Sequence, residues 1–103
     1  MDRINKLREY LEASPTDNFL QHALALEYIK TGEDDKARKL FESILERDAT
    51  YVGTYYHLAK LLERNGENEL AIQWYEKGMA AAKEAGDRHS YNELQAAYED
   101  LMD

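Results

Sequence analysis

The segment Leu24-Ala25-x-x-Tyr28 … Ala37-x-x-x-Phe41 returns 34 residues later as Leu58-Ala59-x-x-Leu62 … Ala71-x-x-x-Tyr75, and Gly32 returns at the same offset as Gly66. A period of this length means that each copy is one supersecondary unit, able to bury its apolar face only against its neighbours. The residues within the copies favour helix. No stretch of any length alternates apolar and polar residues with period two, so no sheet is expected. The chain is therefore read as all-α: a short right-handed α-solenoid of antiparallel helix pairs, about six helices in all.

The breakers place the helices. Pro15 is the single proline, and Gly32, Gly66 and Gly86 mark joints between segments of roughly 12–18 residues with apolar positions at helical spacing. A first helix is expected from about residue 2 to 13, with Ile4, Leu7, Tyr10 and Leu11 on one face. In Ser14-Pro15-Thr16-Asp17, Ser14 is suited to cap the second helix, Pro15 to fill its first position and Asp17 to answer three residues on. That helix should reach about Lys30. A third should run from near Asp34 to near Asp48 and a fourth from about Thr50 to Arg64. A long fifth should span about Asn68 to Ala85, and a sixth should open at Asp87.

A chain of 103 residues fits one domain. Its net charge of −8 opposes non-specific binding to nucleic acid and to an acidic membrane surface, both of which reward Lys and Arg. No run of apolar residues is long enough to span a bilayer, and the charged start of the chain is unlike a signal peptide. There is no cysteine, hence no disulfide and no thiolate metal site. A cytoplasmic protein is expected.

The repeated segments resemble tetratricopeptide repeats, whose pattern is W-x-x-L-G-x-x-Y … A-x-x-x-F … P. The slots fall on Gln21, Leu24, Ala25, Tyr28, Ala37, Phe41 and Ala49, then on Tyr55, Leu58, Ala59, Leu62, Ala71 and Tyr75. Pro15 and Leu7 lie 34 residues before Ala49 and Phe41, so the first helix looks like the second half of a truncated repeat. Tyr91, Leu94, Gln95 and Tyr98 lie 36 residues after Tyr55, Leu58, Ala59 and Leu62, so the last helix looks like the first half of another, serving as a cap. Gln95 departs from the small residue of the pattern. The resulting division is a half-repeat at 1–14, repeats at 15–49 and 50–86, and a capping helix at 87–103.

The resemblance implies a module that binds a protein or peptide partner, without catalysis and without a cofactor. In this family the first helix of each pair lines a concave groove. Carried over by phase, that groove would hold Phe19, His22, Leu26, Ile29 and Lys30, then Tyr56, Lys60, Glu63 and Arg64, then His89, Asn92 and Ala96. Phe19, Leu26 and Tyr56 offer anchor surface, while Lys30, Lys60 and Arg64 suit a partner with some acidic residues. His22 and Leu26 occupy positions where one subfamily uses lysine and asparagine to grip a terminal carboxylate, so that mode is not expected. The second reading is structural: self-association, a homodimer for instance, through the terminal helices.

Other chemistry finds little footing. His22, His57 and His89 show no paired i, i+4 ligand spacing, so no metal site is expected. Asp87, His89 and Ser90 are too close in sequence on one helix to converge as a triad, and capping accounts for them better. Without a strand there is no phosphate-binding glycine loop.

Overall fold

The computed structural model describes residues 2–103. Six helices follow one another: α1 (Arg3–Ala13), α2 (Asn18–Lys30), α3 (Asp34–Arg47), α4 (Gly53–Arg64), α5 (Asn68–Ala85) and α6 (Arg88–Met102). Among the described residues all regular structure is helical. The chain forms two compact units, the first reaching to Arg47 and the second spanning Asp48–Asp103.

In the first unit α2 packs on α3 and on α1. In the second, α5 packs on both α4 and α6, and α4 also touches α6. The helical slots of the 34-residue pattern lie in the core, and the turn slot Ala49 is exposed. Ala25, Ala37, Ala59 and Ala71 have no exposed surface, as required where helix backbones approach closely. Phe41, Leu58, Leu62 and Tyr75 are equally enclosed and fill the gaps between helices. Each such large side chain contributes about 1.5–3 kcal/mol on burial.

The joints explain why successive helices double back. At the end of α2, Gly32 adopts φ 78° and its N–H donates to the Ile29 carbonyl (3.1 Å), while the Glu33 N–H donates to the Tyr28 carbonyl (2.8 Å). The Glu33 carbonyl in turn accepts from Ala37 N–H (3.2 Å), the first bond of α3. Glu33 therefore closes one helix and opens the next. The same three bonds recur around Gly66 (φ 82°), with Glu67 in the shared role. Only glycine takes this left-handed conformation cheaply, which is why it repeats at the period.

Two helix starts differ from expectation. Asp17, not Ser14, caps α2: its Oδ1 accepts from Leu20 N–H at 3.0 Å. Ser14 is already committed to α1, its N–H donating to the Tyr10 carbonyl, and its own carbonyl accepts from Asp17 N–H in the Pro15–Thr16 turn. The fourth helix begins at Gly53 instead of Thr50. Asp48 holds residues 48–51 in a turn, its carboxylate accepting from Thr50 N–H (3.0 Å) and its carbonyl from Tyr51 N–H (3.2 Å). Asp87 caps α6 as expected, through Ser90 N–H (3.0 Å).

Candidate protein-binding faces

In the first unit the candidate residues Phe19, His22, Leu26 and Lys30 all lie on α2, one turn apart. Asp17 fixes the start of that helix, so Phe19 stands in its first turn and projects into solvent with 70% of its surface exposed. Leu26 and Ile29 are half-buried. His22 is turned inward, its ring 5.4 Å from that of Phe41. Lys30 is exposed but its charge is engaged: Nζ lies 3.1 Å from Glu27 Oε2, which also receives Arg3 Nε of α1 at 3.5 Å. The α2 helix thus presents an exposed aromatic ring at its start and a satisfied ionic cluster at its end.

The second unit carries Tyr56, Lys60 and Arg64 on α4. Tyr56 is half-buried, with the Lys60 ammonium 5.8 Å from its ring centroid and the His57 ring edge-on at 5.7 Å. Lys60 also pairs with Glu63 Oε1 at 3.7 Å. The same oxygen accepts from the Tyr75 hydroxyl at 2.8 Å. Burial first, then that bond to a carboxylate, hold the Tyr75 phenol protonated well beyond the usual range. A chain of contacts therefore runs from the core (Tyr75) through Glu63 and Lys60 to the Tyr56 ring, and it fixes where that ring stands.

His57 lies on the same face. Burial pushes its pKa below the ordinary 6.5, partly offset by the Glu93 carboxylate of α6. Asn92 of α6 is exposed and lines a depression at the α5–α6 turn with Ala82, Lys83, Gly86, Asp87, Arg88 and Tyr91. None of that lining comes from α4, so this unit carries two separate candidate surfaces.

Sequence reasoning placed Gln21 in a packing slot but did not see its bonds. It fills a slot where the pattern has tryptophan, yet it is 8% exposed and bonded at both polar atoms. Its Nε2 donates to the Pro15 carbonyl (2.9 Å) and its Oε1 accepts from Arg47 Nη2 (2.9 Å). Arg47 also donates to Asn18 Oδ1 (2.7 Å) and Ser43 Oγ (3.0 Å). The cluster ties the start of α2 to the end of α3. Trp74 packs 6.0 Å from the Tyr55 ring and carries the Lys77 ammonium 4.6 Å above it, at the edge of the core. Among the described residues, no group of three His, Cys, Asp or Glu gathers as metal ligands do, and no helix is long and apolar enough to cross a membrane.

Helical hairpins in a 34-residue period, with small residues at close approaches and a shared-residue turn at each joint, define a helical repeat protein. Tetratricopeptide repeat family models match residues 18–61 and 52–84. The crystal structure of a tetratricopeptide repeat domain protein from Salinibacter ruber is 42% identical, with a TM-score of 0.80 over 84% of this chain and 96% of that one. Its solution structure gives 0.81 over 84% and 88%. A Bordetella parapertussis protein is 27% identical, with a TM-score of 0.85 over 99% of this chain and 89% of that one. No curated protein matches. The chain belongs to the tetratricopeptide repeat family, whose members mediate protein–protein interaction and are typically not catalytic.

Proposed function

We propose that this protein is an adaptor that binds another protein, without covalent chemistry, through the exposed face of a first helix, α2 in the first unit and α4 in the second, each taken by itself. The observation that carries the reading is Phe19. A phenylalanine with 70% of its surface in water contributes little to the core and leaves a large aromatic ring free to supply anchor energy on binding. Tyr56 supports the reading from the second unit, because Lys60 and His57 hold its ring in place before any partner arrives. Lys30 and Lys60 already have carboxylate neighbours, so apolar anchoring is expected to dominate the affinity and charge to tune it.

The test is capture of partners from the native source with wild-type protein and with the Phe19→Ala/Tyr56→Ala variant. The wild type and the double variant must be matched for helix content. A partner held by the wild type and lost by the double variant supports the reading. Retention of every partner by the folded double variant sinks it.

A further inference from the structure

The joint between α4 and α5 holds a dipeptide found nowhere else in the chain, Asn65-Gly66. The other four asparagines, Asn5, Asn18, Asn68 and Asn92, lie within helices and precede Lys6, Phe19, Glu69 and Glu93. Asn65 ends α4, and both it and Gly66 are exposed. An asparagine before glycine is chemically self-reactive. Its side-chain carbonyl carbon can reach the next backbone nitrogen, and glycine has no Cβ to shield that nitrogen. The first joint has threonine at this place, Thr31 before Gly32, so the chemistry is confined to the second unit.

The folded turn opposes this reaction in two ways. Asn65 has ψ 8°, so the Gly66 nitrogen eclipses the Asn65 nitrogen about the Cα–C bond. Closing a five-membered ring requires it to eclipse Cβ instead. The second obstacle is a pair of bonds: the Gly66 N–H donates to the Glu63 carbonyl (3.0 Å) and the Glu67 N–H to the Leu62 carbonyl (2.9 Å). They close α4 in the glycine-terminated form common at helix ends. Rotation about the Asn65 Cα–C bond swings both donors off their acceptors, so ring closure waits for the turn to open. The loss of two such bonds makes the reactive geometry about tenfold rarer, or more, than in an open chain.

We propose that Asn65 is a site of spontaneous deamidation that records opening of the α4–α5 turn. Once the turn opens, the Gly66 nitrogen bonds to Cγ of Asn65, and Nδ2 leaves with the Gly66 proton as ammonia. Water then opens the succinimide. Addition at Cγ breaks the new bond and leaves aspartate. Addition at the backbone carbonyl carbon breaks the original peptide bond and leaves the chain running through Cγ, an isoaspartate. Either way one amide and one water become one carboxylic acid and one ammonia, with no oxidant or cofactor. Both products disfavour the closed turn. The new carboxylate stands at the negative end of the α4 dipole. The isoaspartate also inserts a backbone carbon between α4 and the two donors that close it. An opened joint is therefore marked for good, which reversible unfolding alone does not do. The chemistry needs neither Phe19 nor Tyr56, so it stands apart from the adaptor reading.

The test ages the full chain in mildly alkaline buffer, folded and in guanidinium, and follows each asparagine by peptide mass and fragmentation. In denaturant Asn65 is expected to convert first of the five asparagines. In the folded chain it should convert slower by about tenfold or more. Hydrogen exchange at the Glu67 N–H measures the same opening separately, and its protection should match the slowing at Asn65 within about tenfold. Glu67→Pro removes that donor and keeps the dipeptide. Relative to its own rate in guanidinium, the folded variant should convert about threefold faster than wild type, or more. Asn65→Thr, which copies the first joint, should abolish the early mass gain. Equal rates in folded and denatured wild type overturn the proposal, as does another asparagine that converts faster in denaturant. A Glu67→Pro protein that keeps its helix content and ages no faster than wild type also overturns it. Should that variant lose helix content, the match between exchange and conversion decides alone.

Discussion

Gln21 and Tyr55 stand 34 residues apart and make the same bond with different chemistry: each donates to the carbonyl six residues before it, Gln21 Nε2 to Pro15 (2.9 Å) and the Tyr55 hydroxyl to Ala49 (2.6 Å). Both side chains are nearly enclosed, at 8% and 4% exposure. The repeat thus preserves a donor at this slot, aimed at the turn that precedes the first helix. The bond ties each first helix to the turn before it.

Tyr55→Phe removes that donor while keeping the ring. Ala49 is exposed, so water can replace the lost partner at its carbonyl, and the cost should stay near about 1 kcal/mol. Gln21→Leu should cost more, about 1–2 kcal/mol, because it also takes an acceptor from the Arg47 guanidinium. Urea titrations of both variants check the order. A Tyr55→Phe loss larger than that of Gln21→Leu would mean that the turns, and not the Arg47 cluster, set the stability.

The two helical glycines Gly53 and Gly78 should respond to alanine with opposite signs. A Cβ at Gly78 would lie 2.6 Å from Tyr55 Cβ and 3.1 Å from Leu94 Cδ1. The first of these atoms is fixed to the α4 backbone and cannot swing away. Overpacking of about 1–3 kcal/mol then outweighs the gain of about 1 kcal/mol in helix propensity, and Gly78→Ala destabilises. A Cβ at Gly53 meets nothing within 4 Å, and its φ is not positive, so Gly53→Ala should stabilise by about 0.4–1 kcal/mol. Thermal melts of the pair test the close approach of α4 and α5, since propensity alone would stabilise both.

These cases mark how far the sequence could be read. The packing slots were legible because buried positions on stacked helices must recur with the period, and the helical slots from Leu24 to Tyr75 are buried as that logic requires, whereas Ala49 in the turn is exposed. Gly78 was not, because the equivalent slot in the first repeat holds Ile44; the period fixes where a residue packs, not how near the next helix comes. Sequence alone misplaces the start of α2: it makes Ser14 the cap, with Asp17 answering it, whereas the Ser14 N–H ends α1 and Asp17 caps α2. Among the candidate binding residues, phase put Phe19 and Tyr56 on first-helix faces, but their unequal exposure depends on neighbours that phase does not encode. Tyr56 lies beneath Lys60 and beside His57, whereas Phe19 stands in the first turn of its helix. The pairing of Lys30 with Glu27 and of Lys60 with Glu63 follows from i, i+3 spacing alone.

Tyr75→Phe should cost about 1–3 kcal/mol, because the lost bond ends on a carboxylate. Glu63 would keep Lys60, so the ion pair should partly compensate on the face of α4. The wild-type phenol carries a second signature. With its pKa pushed up by burial and by Glu63, Tyr75 should stay un-ionised for as long as the fold persists. An alkaline absorbance titration should therefore show Tyr75 among the last of the eight tyrosines to ionise, and Tyr75→Phe should remove one late-ionising phenol. Tyr75 ionising reversibly in the folded protein would contradict the bond.

His57 should make the protein less stable in mild acid. Burial lowers its pKa in the folded chain below the 6.5 of an unfolded one, with Glu93 opposing part of the shift. The unfolded state therefore binds the proton more readily. By linkage, stability is full above about pH 6.5, falls as the pH drops from there through the folded pKa, and levels off below it. His57→Gln keeps a polar side chain of similar reach but cannot titrate. Its denaturation midpoint should vary less than the wild type's between about pH 7 and pH 5, the window in which histidine changes charge. An unchanged pH profile in the variant would show that Glu93 cancels the effect of burial, and would place His57 in contact with more acid or more water than the α4–α6 packing provides.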